Sequence, residues 1–442
     1  MQLRAPRGTN DLLPASAQAF DFLEQAAHRV FSRYGYRLVE TPLFESTEVF
    51  VRGIGEATDV VGKEMFSVLS PQALARLCDG SAPKADEQLT LRPEGTAGVA
   101  RAVVEHGLAA SGAAPAKLWY RGSMFRHERP QKGRLRQFHQ IGAECIGAAS
   151  PSADAEAIIM LMRFFEEAGL ASSLLRLLVN SMGDENCRPA FREEVRAFIL
   201  EAADGLCDEC RRRADTNPLR AFDCKSPTCK EVMAAAPRIT ERLCDECAGH
   251  YEAVKARLDA AGIVYEEQPL LVRGLDYYTR TVFEVQVDVG LGAQNAIGGG
   301  GRYDGLIAQF GGKPTPGLGF AVGLERIVLA LEASGGIPVS PLAPQLFVAA
   351  VDADSRAAAF ALACRLRDAG MRVELDHQDR SLKSQFKLAD KSAAPWVAVI
   401  GPNELTVGSA TLRSMSEGAE QQVRLDATED FARIVNTMKE GL

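Results

Sequence analysis

The chain has 442 residues, of which 46% are hydrophobic and 24% charged, which is an ordinary globular composition with enough length for two to four domains. The formal net charge of −8 excludes a protein that holds nucleic acid through overall basicity, so a nucleic-acid partner would need local basic patches. No run of about eighteen apolar residues occurs and the start lacks the apolar core of a signal peptide, so we expect a soluble, cytoplasmic protein.

The first predicted element is an amphipathic helix from about Ala15 to Tyr34, which Gly35 ends. One side of this helix is apolar and contains Phe20, Leu23, Ala27, Val30 and Phe31. The extended segment Tyr36 to Phe44 contains Pro42, which cannot donate a hydrogen bond to a neighbouring strand. This segment is therefore predicted to lie at the edge of a sheet or at a break in it.

A strand that runs directly into a helix is predicted over Leu89 to Val103, LTLRPEGTAGVARAV. Glu94 and Thr96 lie at the junction. Residues of these types at a helix start commonly cap free backbone N–H groups. From this segment alone a capping role is favoured, and the alternative is that the two residues bind a polar ligand.

Two strands, Leu118 to Glu128 and Leu135 to Ile146, are predicted to form an antiparallel hairpin around the loop Arg129 to Arg134. Because side chains alternate across a strand, each strand should present one polar face. Six of the sixteen residues 121–136 are Arg or Lys, against a single acid, Glu128. A merely solvated hairpin does not need this mixture of arginines, carboxylates and an aromatic ring, which suits phosphate binding. The polar faces contain Met124, Arg126 and Glu128 on one strand and Phe138, Gln140, Gly142 and Glu144 on the other.

The hairpin sequence FRHERPQKGRLRQFHQ resembles motif 2 of the class II aminoacyl-tRNA synthetases, in the form found in the histidyl-tRNA synthetases. The segment Tyr36 to Phe44 resembles motif 1, which builds the dimer interface in this class. LRPEGT resembles the segment that holds the amino-acid substrate. The resemblance implies an α/β (α+β) fold with an antiparallel-sheet catalytic domain, and a homodimer.

Beyond the hairpin we predict a helix over Ser152 to Leu170 and an apolar strand over Leu174 to Val179. Residues 181–267 are then helical, charge-rich and cysteine-bearing. Strand and turn patterns return after them. We therefore interpret 181–267 as an insertion domain that splits the catalytic domain, residues 1–335.

Six of the ten cysteines lie between Cys207 and Cys247, in CxxC-type spacing. In a reducing compartment such spacing indicates metal binding, and paired CxxC motifs are typical of a structural Zn²⁺ held by four thiolates. Six candidates for four positions leave the choice of ligands open. The two CDEC sequences lead us to hypothesise one ion bound by Cys207, Cys210, Cys244 and Cys247, with Cys224 and Cys229 between them.

Three segments after the insertion resemble the remaining motifs of the family. RGLDYYTR (Arg273 to Arg280) and AIGGGGRYDGL (Ala296 to Leu306) resemble its two histidine-specific motifs, and GLGFAVGLERIVLAL (Gly317 to Leu331) resembles motif 3. Four consecutive glycines let a backbone approach a ligand closely, or form only a flexible turn. Arg326 interrupts an apolar helix pattern, so it is either an exposed residue beside the buried side or, as the resemblance implies, a ligand of the γ-phosphate of ATP.

The resemblance also implies roles for individual residues. Arg126, Arg273 and Arg326 would stabilise the phosphate charge during catalysis, with Mg²⁺ bridging the oxygens of ATP. The tip residues Arg129 and Gln131 would meet the acceptor end of tRNA, or the loop serves ATP alone. ATP would contact Arg126, Glu128, Phe138 and Arg326. Histidine would contact Glu94, Thr96, Arg126, Gln140, Glu144, Arg273, Tyr277 and Tyr278.

Residues 336–344 are rich in Gly and Pro and are predicted to form a linker. Residues 345–442 alternate strands and helices, which predicts a small α/β domain with a mostly parallel sheet. This domain resembles the anticodon-binding domain of several class II synthetases. Its second helix carries a basic stripe that is either a solvated face or a surface for RNA backbone, formed by Lys383, Lys387 and Lys391.

Together the motifs imply histidine–tRNA ligase activity, in which ATP activates L-histidine to histidyl-adenylate and the histidyl group then passes to tRNA(His). The alternative is the non-catalytic regulatory paralogue of ATP phosphoribosyltransferase, which binds histidine but usually lacks the anticodon domain and the complete histidine motifs. A zinc-bearing RNA-binding module without catalysis would leave the pocket of arginines and carboxylates unexplained.

Overall fold

The computed structural model describes residues 3–55, 58–109, 114–274, 277–292, 295–338 and 343–437. The chain divides into two compact units, Met1–Val339 and Ser340–Leu442, at a point inside the predicted linker. Residues 339–342 of that linker lie outside the described residues, as do Leu275 and Asp276 of RGLDYYTR. Among the helices that are described, none combines the length and the apolar character needed to cross a membrane.

The first unit contains the following helices and strands: α1 (Pro14–Arg33), β1 (Arg37–Leu38), β2 (Phe44–Ser46), α2 (Thr47–Ile54), β3 (Phe66–Val68), α3 (Pro71–Cys78), β4 (Leu89–Leu91), α4 (Thr96–Glu105), β5 (Ala116–Phe125), β6 (Gln137–Ile146), α5 (Pro151–Glu167), β7 (Leu175–Ser181), α6 (Arg188–Glu201), α7 (Asp208–Thr216), α8 (Pro227–Met233), α9 (Asp245–Ala260), β8 (Glu266–Glu267), β9 (Thr279–Val287), β10 (Ala296–Arg302), α10 (Leu306–Gln309), β11 (Gly317–Gly323) and α11 (Leu324–Ser334).

An eight-stranded sheet forms the centre of this unit, with the strand order β1-β5-β6-β11-β10-β9-β7-β8. The six central strands pair antiparallel, whereas β1 and β8 join the two edges in parallel. The predicted antiparallel catalytic sheet is confirmed. β1 lies in the segment that contains Pro42, and the structure places that strand at the predicted sheet edge.

The two faces of the sheet belong to two different hydrophobic clusters, because neighbouring side chains on a strand point in opposite directions. Trp119 and Phe283 lie in the cluster that includes the buried sides of α1 and α5, whereas Tyr120 and Val282 lie in the second cluster. This second cluster also includes Tyr277 and side chains of the insertion helices. Tyr277 and Tyr278 of the predicted histidine motif are therefore on the face against which α6, α7 and α8 of the insertion pack.

The helices of the insertion do not form a core of their own. Val254 and Leu258 of α9 pack in the first cluster, and Phe191 of α6 and Cys210 of α7 pack in the second. Residues 181–267 accordingly lie in the same compact unit as the sheet. Burial of apolar side chains against the sheet is what stabilises these short helices, which would be marginal alone.

The second unit contains β12 (Leu346–Ala350), α12 (Ser355–Asp368), β13 (Val373–Leu375), α13 (Leu382–Lys391), β14 (Trp396–Ile400), α14 (Pro402–Val407), β15 (Ser409–Ser414), β16 (Glu420–Arg424) and α15 (Thr428–Thr437). Its sheet has the order β13-β12-β14-β15-β16. Strands β13, β12 and β14 are parallel, but β14, β15 and β16 pair antiparallel. The expectation of a mostly parallel sheet is therefore wrong, because the last two strands form a hairpin.

An ion pair inside the first unit gives a test of its packing. Arg302 of β10 and Asp154 of α5 are each 1% exposed, and Arg302 Nε donates to Asp154 Oδ1 at 3.1 Å. Replacing Asp154 by asparagine removes the buried countercharge of the guanidinium and leaves it only the more exposed Asp304, whose Oδ1 is 3.0 Å from Arg302 Nη1. We expect the free energy of unfolding measured in urea to fall by about 3–5 kcal/mol.

The control for this prediction is Glu167→Gln, which breaks the more exposed Arg29–Glu167 pair of the same unit. Exposed pairs contribute about 0–1 kcal/mol, since water solvates both charges after the pair is broken. Equal losses in the two variants would contradict a stabilising role for the buried pair.

Candidate active site

The polar faces of the predicted hairpin coincide in the structure. β5 and β6 pair with Met124 opposite Phe138 and Leu118 opposite Glu144. Gln140, Gly142 and Glu144 therefore lie on one side of β6, while Ile141, Ala143 and Cys145 pack on the other side in the cluster with α1 and α5. The hairpin thus forms the floor of the candidate site, as its alternation predicted.

Glu144 is at the centre of this floor and is 1% exposed. Its Oε1 accepts a hydrogen bond from Thr96 Oγ1 at 2.7 Å, and its Oε2 accepts one from the Tyr303 hydroxyl. Burial raises the pKa of Glu144 to about 8, although the hydrogen bonds from Tyr303 and Thr96 oppose the shift. A carboxyl group held by two hydroxyl donors is oriented toward a ligand, and a ligand N–H placed there would favour its deprotonated, accepting form.

Glu94 caps the start of α4, which is one of the two roles expected from its position before that helix. Its two oxygens accept hydrogen bonds from the backbone N–H groups of Thr96 at 2.7 Å and Ala97 at 2.8 Å. Burial raises the pKa of Glu94 despite these bonds. Each carboxylate oxygen has a second lone pair, so the observed cap is compatible with a role in ligand binding.

The predicted ATP residues of the hairpin lie together. The Arg126 guanidinium is 5.3 Å from the centre of the Phe138 ring, and its Nε donates to the carbonyl of Pro93 at 2.8 Å. Glu128 lies between two arginines, 4.0 Å from Arg126 and 2.8 Å from Arg134. This end of the site offers a flat ring, one carboxylate and two guanidinium groups.

Arg273 lies over the glycine-rich strand β10, where its Nη1 donates to Glu284 Oε2 at 2.5 Å. A Cβ atom on Gly299 would stand 2.8 Å from Arg273 Nη1, and one on Gly301 would stand 2.8 Å from the Tyr278 ring. The glycines thus form a strand in the sheet rather than a flexible turn. They leave the room that Arg273 and Tyr278 occupy.

Tyr277 and Tyr278 are both buried, with ring centres 4.6 Å apart. The ring of Tyr303 lies 5.5 Å from that of Tyr277, which brings both predicted tyrosines next to the Glu144 pocket. Gln140 Oε1 is buried and has no hydrogen-bond partner among the described residues. An unpaired buried acceptor is costly, so a donor from a ligand would be stabilised there.

Arg326 of α11 is partly buried, and the structure thereby excludes the alternative of an exposed position. Its Nε donates to the carbonyl of Gly133 at 3.0 Å and its Nη1 to that of Ala296 at 2.5 Å, which joins the hairpin loop to β10. Desolvation and the neighbouring Arg134 lower the pKa of Arg326. A polyphosphate would relieve this concentration of positive charge.

The tip of the hairpin is a tight turn in which the backbones of Gln131 and Arg134 exchange hydrogen bonds of 3.0 and 2.9 Å. Arg129 and Gln131 are exposed. Lys383, Lys387 and Lys391 of α13 in the second unit are exposed as well. These two predicted RNA-contacting sets are accessible, and the alternatives of an ATP loop and a solvated face stay open.

Sequence reasoning missed three residues that orient the site. Tyr303 contacts Glu144, and Glu284 contacts Arg273. Neither was assigned a role, because strand alternation predicts which face a side chain lies on but not which residue of another segment it contacts. Glu325 was also missed: its carboxylate accepts from the His139 backbone N–H at 3.0 Å and lies 2.9 Å from His139 Nδ1. Tyr303 lies in AIGGGGRYDGL and Glu325 in GLGFAVGLERIVLAL, and their position inside these motifs was the available signal.

The structure contradicts the hypothesised set of zinc ligands. Cys207 and Cys210 cluster with Cys224 and Cys229, whereas Cys244 and Cys247 cluster with Asp184 and Cys187. The two CDEC sequences therefore cannot hold a single ion together. Each CxxC pair stays close because its residues lie within one turn at a helix start, but helix packing brings a different partner to each pair.

Comparison with known sequences covers both units. A family model described as histidyl-tRNA synthetase matches residues 8–327, and one described as anticodon binding domain matches residues 345–433. The histidine–tRNA ligase of Trichlorobacter lovleyi is 47% identical over 434 residues, which are 98% of this chain and 99% of that protein. The histidine–tRNA ligase of Moorella thermoacetica is 46% identical over 97% of each chain.

Comparison with solved structures gives the same result. The apo crystal structure of the S. aureus histidyl-tRNA synthetase is 35% identical in sequence, with a TM-score of 0.79 over 97% of this chain and 99% of that one. The similarity thus spans the sheet, the insertion and the second unit rather than a single motif.

Proposed function

Since this chain belongs to the histidyl-tRNA synthetase family, we propose that it is a histidine–tRNA ligase. It activates L-histidine with ATP to histidyl-adenylate and pyrophosphate, then transfers histidine to the 3′ end of tRNA(His) and releases AMP. The observation that carries this function is the buried Glu144 pocket together with Arg126 beside Phe138, Arg273 over β10, and Arg326, which joins the hairpin loop to β10. We place the enzyme in the cytoplasm, where its substrates are.

Activation requires the histidine carboxylate to attack the α-phosphate of ATP while pyrophosphate leaves. Negative charge develops on the phosphoryl oxygens, so fixed cations accelerate the reaction more than a proton shuttle would. Arg126 and Arg273 are assigned to the α-phosphate and Arg326 to the γ-phosphate. Phe138 stacks on adenine, and Glu128 accepts a hydrogen bond from its amino group.

Mg²⁺ is expected to accompany ATP and to screen its phosphate charge. Within the described residues, both groups of three or more potential metal ligands lie in the insertion, and the Glu128 carboxylate beside Arg126 is already paired with Arg134. This donor set suits an ion held by phosphate oxygens better than a protein cage. The chain's own arginines then position the phosphates.

Histidine is selected through both imidazole nitrogens. Glu144 accepts the imidazole N–H, and a hydroxyl of Tyr277 or Tyr278 meets the other nitrogen. Gln140, through its unpaired Oε1, and Glu94 accept from the α-ammonium group, and Thr96 orients Glu144. A pocket built on such polar contacts rejects analogues that lack them, because its buried groups would be left unpaired.

The tRNA is proposed to contact both units. Arg129 and Gln131 on the hairpin tip meet the acceptor end, and the basic stripe of Lys383, Lys387 and Lys391 meets the backbone of the anticodon arm. Both sets are exposed, and the second unit matches the anticodon binding domain. Relatives over the full length named histidine–tRNA ligase, together with this domain, favour the ligase over the regulatory paralogue.

We also propose a homodimer built on the edge of the catalytic sheet. Leu38 of the edge strand β1 is 44% exposed, and Leu43 and Phe44 of the segment that follows it are 50% and 51% exposed. Several exposed apolar side chains in one segment mark an association surface. Replacing Phe44 by aspartate is expected to raise the dimer dissociation constant about 30-fold or more. Light scattering coupled to gel filtration would measure it.

The control is Val264→Asp, a change at an apolar residue that is 87% exposed in another part of the unit. The mass of this variant should stay at twice that of one chain. A monomeric wild type, or a dimer that Phe44→Asp leaves intact, would contradict the proposed interface.

The function itself is tested by exchange of labelled pyrophosphate into ATP, with each amino acid in turn. Exchange that depends on histidine alone is expected. Histidine binding without exchange would favour the regulatory paralogue, and exchange with another amino acid would contradict the proposed specificity.

A further inference from the structure

We propose that the insertion binds two Zn²⁺ ions at two separate sites rather than one. The tetrathiolate site consists of Cys207, Cys210, Cys224 and Cys229, and the mixed site consists of Asp184, Cys187, Cys244 and Cys247. All ligand atoms within each site lie within 4.8 Å of one another. The packing of the insertion helices determines how many ions bind and which residues bind them. The CxxC spacing alone predicts neither.

The tetrathiolate site has the dimensions of a zinc tetrahedron. Zn–S bonds of about 2.3 Å place the sulfurs at tetrahedron corners about 3.8 Å apart, and Cys207 Sγ and Cys224 Sγ are 3.9 Å apart. A disulfide would need about 2.05 Å. The Cys207 N–H donates to Cys229 Sγ at 3.2 Å, which suits a sulfur that carries negative charge.

The mixed site replaces one sulfur by a carboxylate oxygen. Asp184 Oδ1 lies 3.7 Å from Cys187 Sγ and 4.0 Å from Cys244 Sγ. The other oxygen, Oδ2, is 3.1 Å from Arg280 Nη2. Oδ1 accepts a hydrogen bond from the Asn186 backbone N–H at 3.0 Å and has a second lone pair with which it can face an ion. A cationic partner behind a ligating carboxylate orients it, as in many metal sites.

The donor chemistry selects the class of metal. Seven of the eight ligands are thiols, which favour soft or borderline ions over Mg²⁺ and Ca²⁺. Four donors at tetrahedral spacing leave no open position, which indicates structural rather than catalytic ions. Bringing several thiolates together in a partly buried place is unfavourable without a cation, so metal binding would also stabilise the packing of α6 to α9.

The mixed site is joined to the segment that carries Tyr278, and this consequence rests on the proposed function. The backbone of Arg280 bonds to Gly183 at 2.8 Å and to Met182 at 2.6 Å. Arg188, next to Cys187, donates to the carbonyl of Tyr278. An ion at the mixed site would therefore position the histidine-binding segment through these backbone hydrogen bonds. Among the described residues, no backbone hydrogen bond joins the tetrathiolate cysteines to that segment, which adjoins them only through side chains such as Arg220 beside Gly274.

Metal content of the full-length protein tests the two-site proposal. The protein is purified reduced and without chelator, saturated with Zn²⁺, separated from free metal by gel filtration, and analysed by mass spectrometry of its metal. We expect two zinc ions per chain. One ion or none would overturn the proposal, and this result does not depend on whether any variant folds.

Variants separate the two sites. Cys224→Ser and Cys187→Ser should each retain one ion and the double variant none, while Cys145→Ser and Cys364→Ser, which lie outside both clusters, should retain two. A single site formed by the four CDEC cysteines predicts one ion that neither Cys224→Ser nor Cys187→Ser removes. Replacing Zn²⁺ by Co²⁺ adds a visible spectrum that differs between four-sulfur and three-sulfur sites.

Histidine kinetics test the positioning role. Cys187→Ser is expected to raise KM for histidine in pyrophosphate exchange about tenfold with a smaller effect on kcat, while Cys224→Ser leaves KM within about twofold. Equal KM values for histidine in Cys187→Ser and Cys224→Ser would contradict a positioning role of the mixed site. Wild-type protein that holds two ions but shows no exchange would refute the proposed function and leave the metal sites standing.

Discussion

Replacing Arg273 by alanine is expected to lower the rate of histidine-dependent pyrophosphate exchange about 10³-fold. The guanidinium is fixed by Glu284 at 2.5 Å over the glycine strand, so it faces the charge that develops on the α-phosphate without having to reorganise. Loss of one preorganised donor to such charge costs about 10²–10³-fold, and a full positive charge adds to that. Single-turnover formation of the adenylate would show the loss in the chemical step.

Two further variants separate charge from geometry at this position. Arg273→Lys keeps the charge but not the planar fork that pairs with Glu284 and a phosphate together, so we expect an intermediate rate. Arg176→Ala removes an arginine of the same sheet whose partner is the exposed Glu266, and exchange should stay within about twofold of wild type. Full activity in Arg273→Ala would exclude this residue from catalysis.

Replacing Glu144 by glutamine is expected to lower kcat/KM for histidine about 10³-fold. The amide is close in shape, but its NH₂ group faces the imidazole N–H or one of the two hydroxyl donors, Thr96 and Tyr303. Two buried donors would then face each other without an acceptor. Such mispairing is costly, because polar pockets reject substrate analogues that leave their buried groups unpaired by about 10⁴-fold or more. KM for ATP should change little. Glu156→Gln, which affects a half-exposed carboxylate paired with Lys117, is the control.

Glu144 also makes the stability of the folded protein depend on pH, and Glu144→Gln should remove this dependence. The pKa of Glu144 is about 8 in the folded protein against an ordinary value of 4.5, so between these values the folded state holds a proton that the unfolded state has lost. Its contribution is therefore fully present below about pH 4.5 and is lost as the pH rises through 8. Wild type should lose stability from pH 6 to 8.5 more steeply than Glu144→Gln, which thermal unfolding at the two pH values would measure. Equal slopes would contradict the raised pKa.

Local patterns predicted the elements well wherever one chemical feature decides the conformation. The helix α1 (Pro14–Arg33) ends where predicted because Gly35 adopts a positive φ of 81°, which a residue with a side chain rarely adopts. The two faces of the hairpin followed from strict alternation, and both strands pair in the expected antiparallel sense. The family resemblance then added expected roles for residues on these faces.

Sequence patterns failed to predict strands whose residue types are explained only by contacts with segments distant in the chain. The four glycines in β10 carry no hydrophobic signal. The positions of Arg273 and Tyr278 explain why Gly299 and Gly301 lack side chains, and the close approach of β11 explains Gly298 and Gly300. In the second unit, β15 and β16 pair as a hairpin, and the mixed polar pattern of Glu420–Arg424 gave no sign of it. An edge strand needs few apolar residues, because little of it is buried.

The cysteines show most clearly the difference between what the sequence determines and what only the tertiary structure determines. The sequence by itself determined the ligand chemistry, because CDEC at Cys207 and at Cys244 keeps two sulfurs within one turn at a helix start. Only the tertiary structure decided which pair meets Cys224 and which meets Cys187. That choice depends on how α6 to α9 pack against the sheet and against one another, and packing between helices distant in sequence leaves no trace in the spacing of the residues that it brings together.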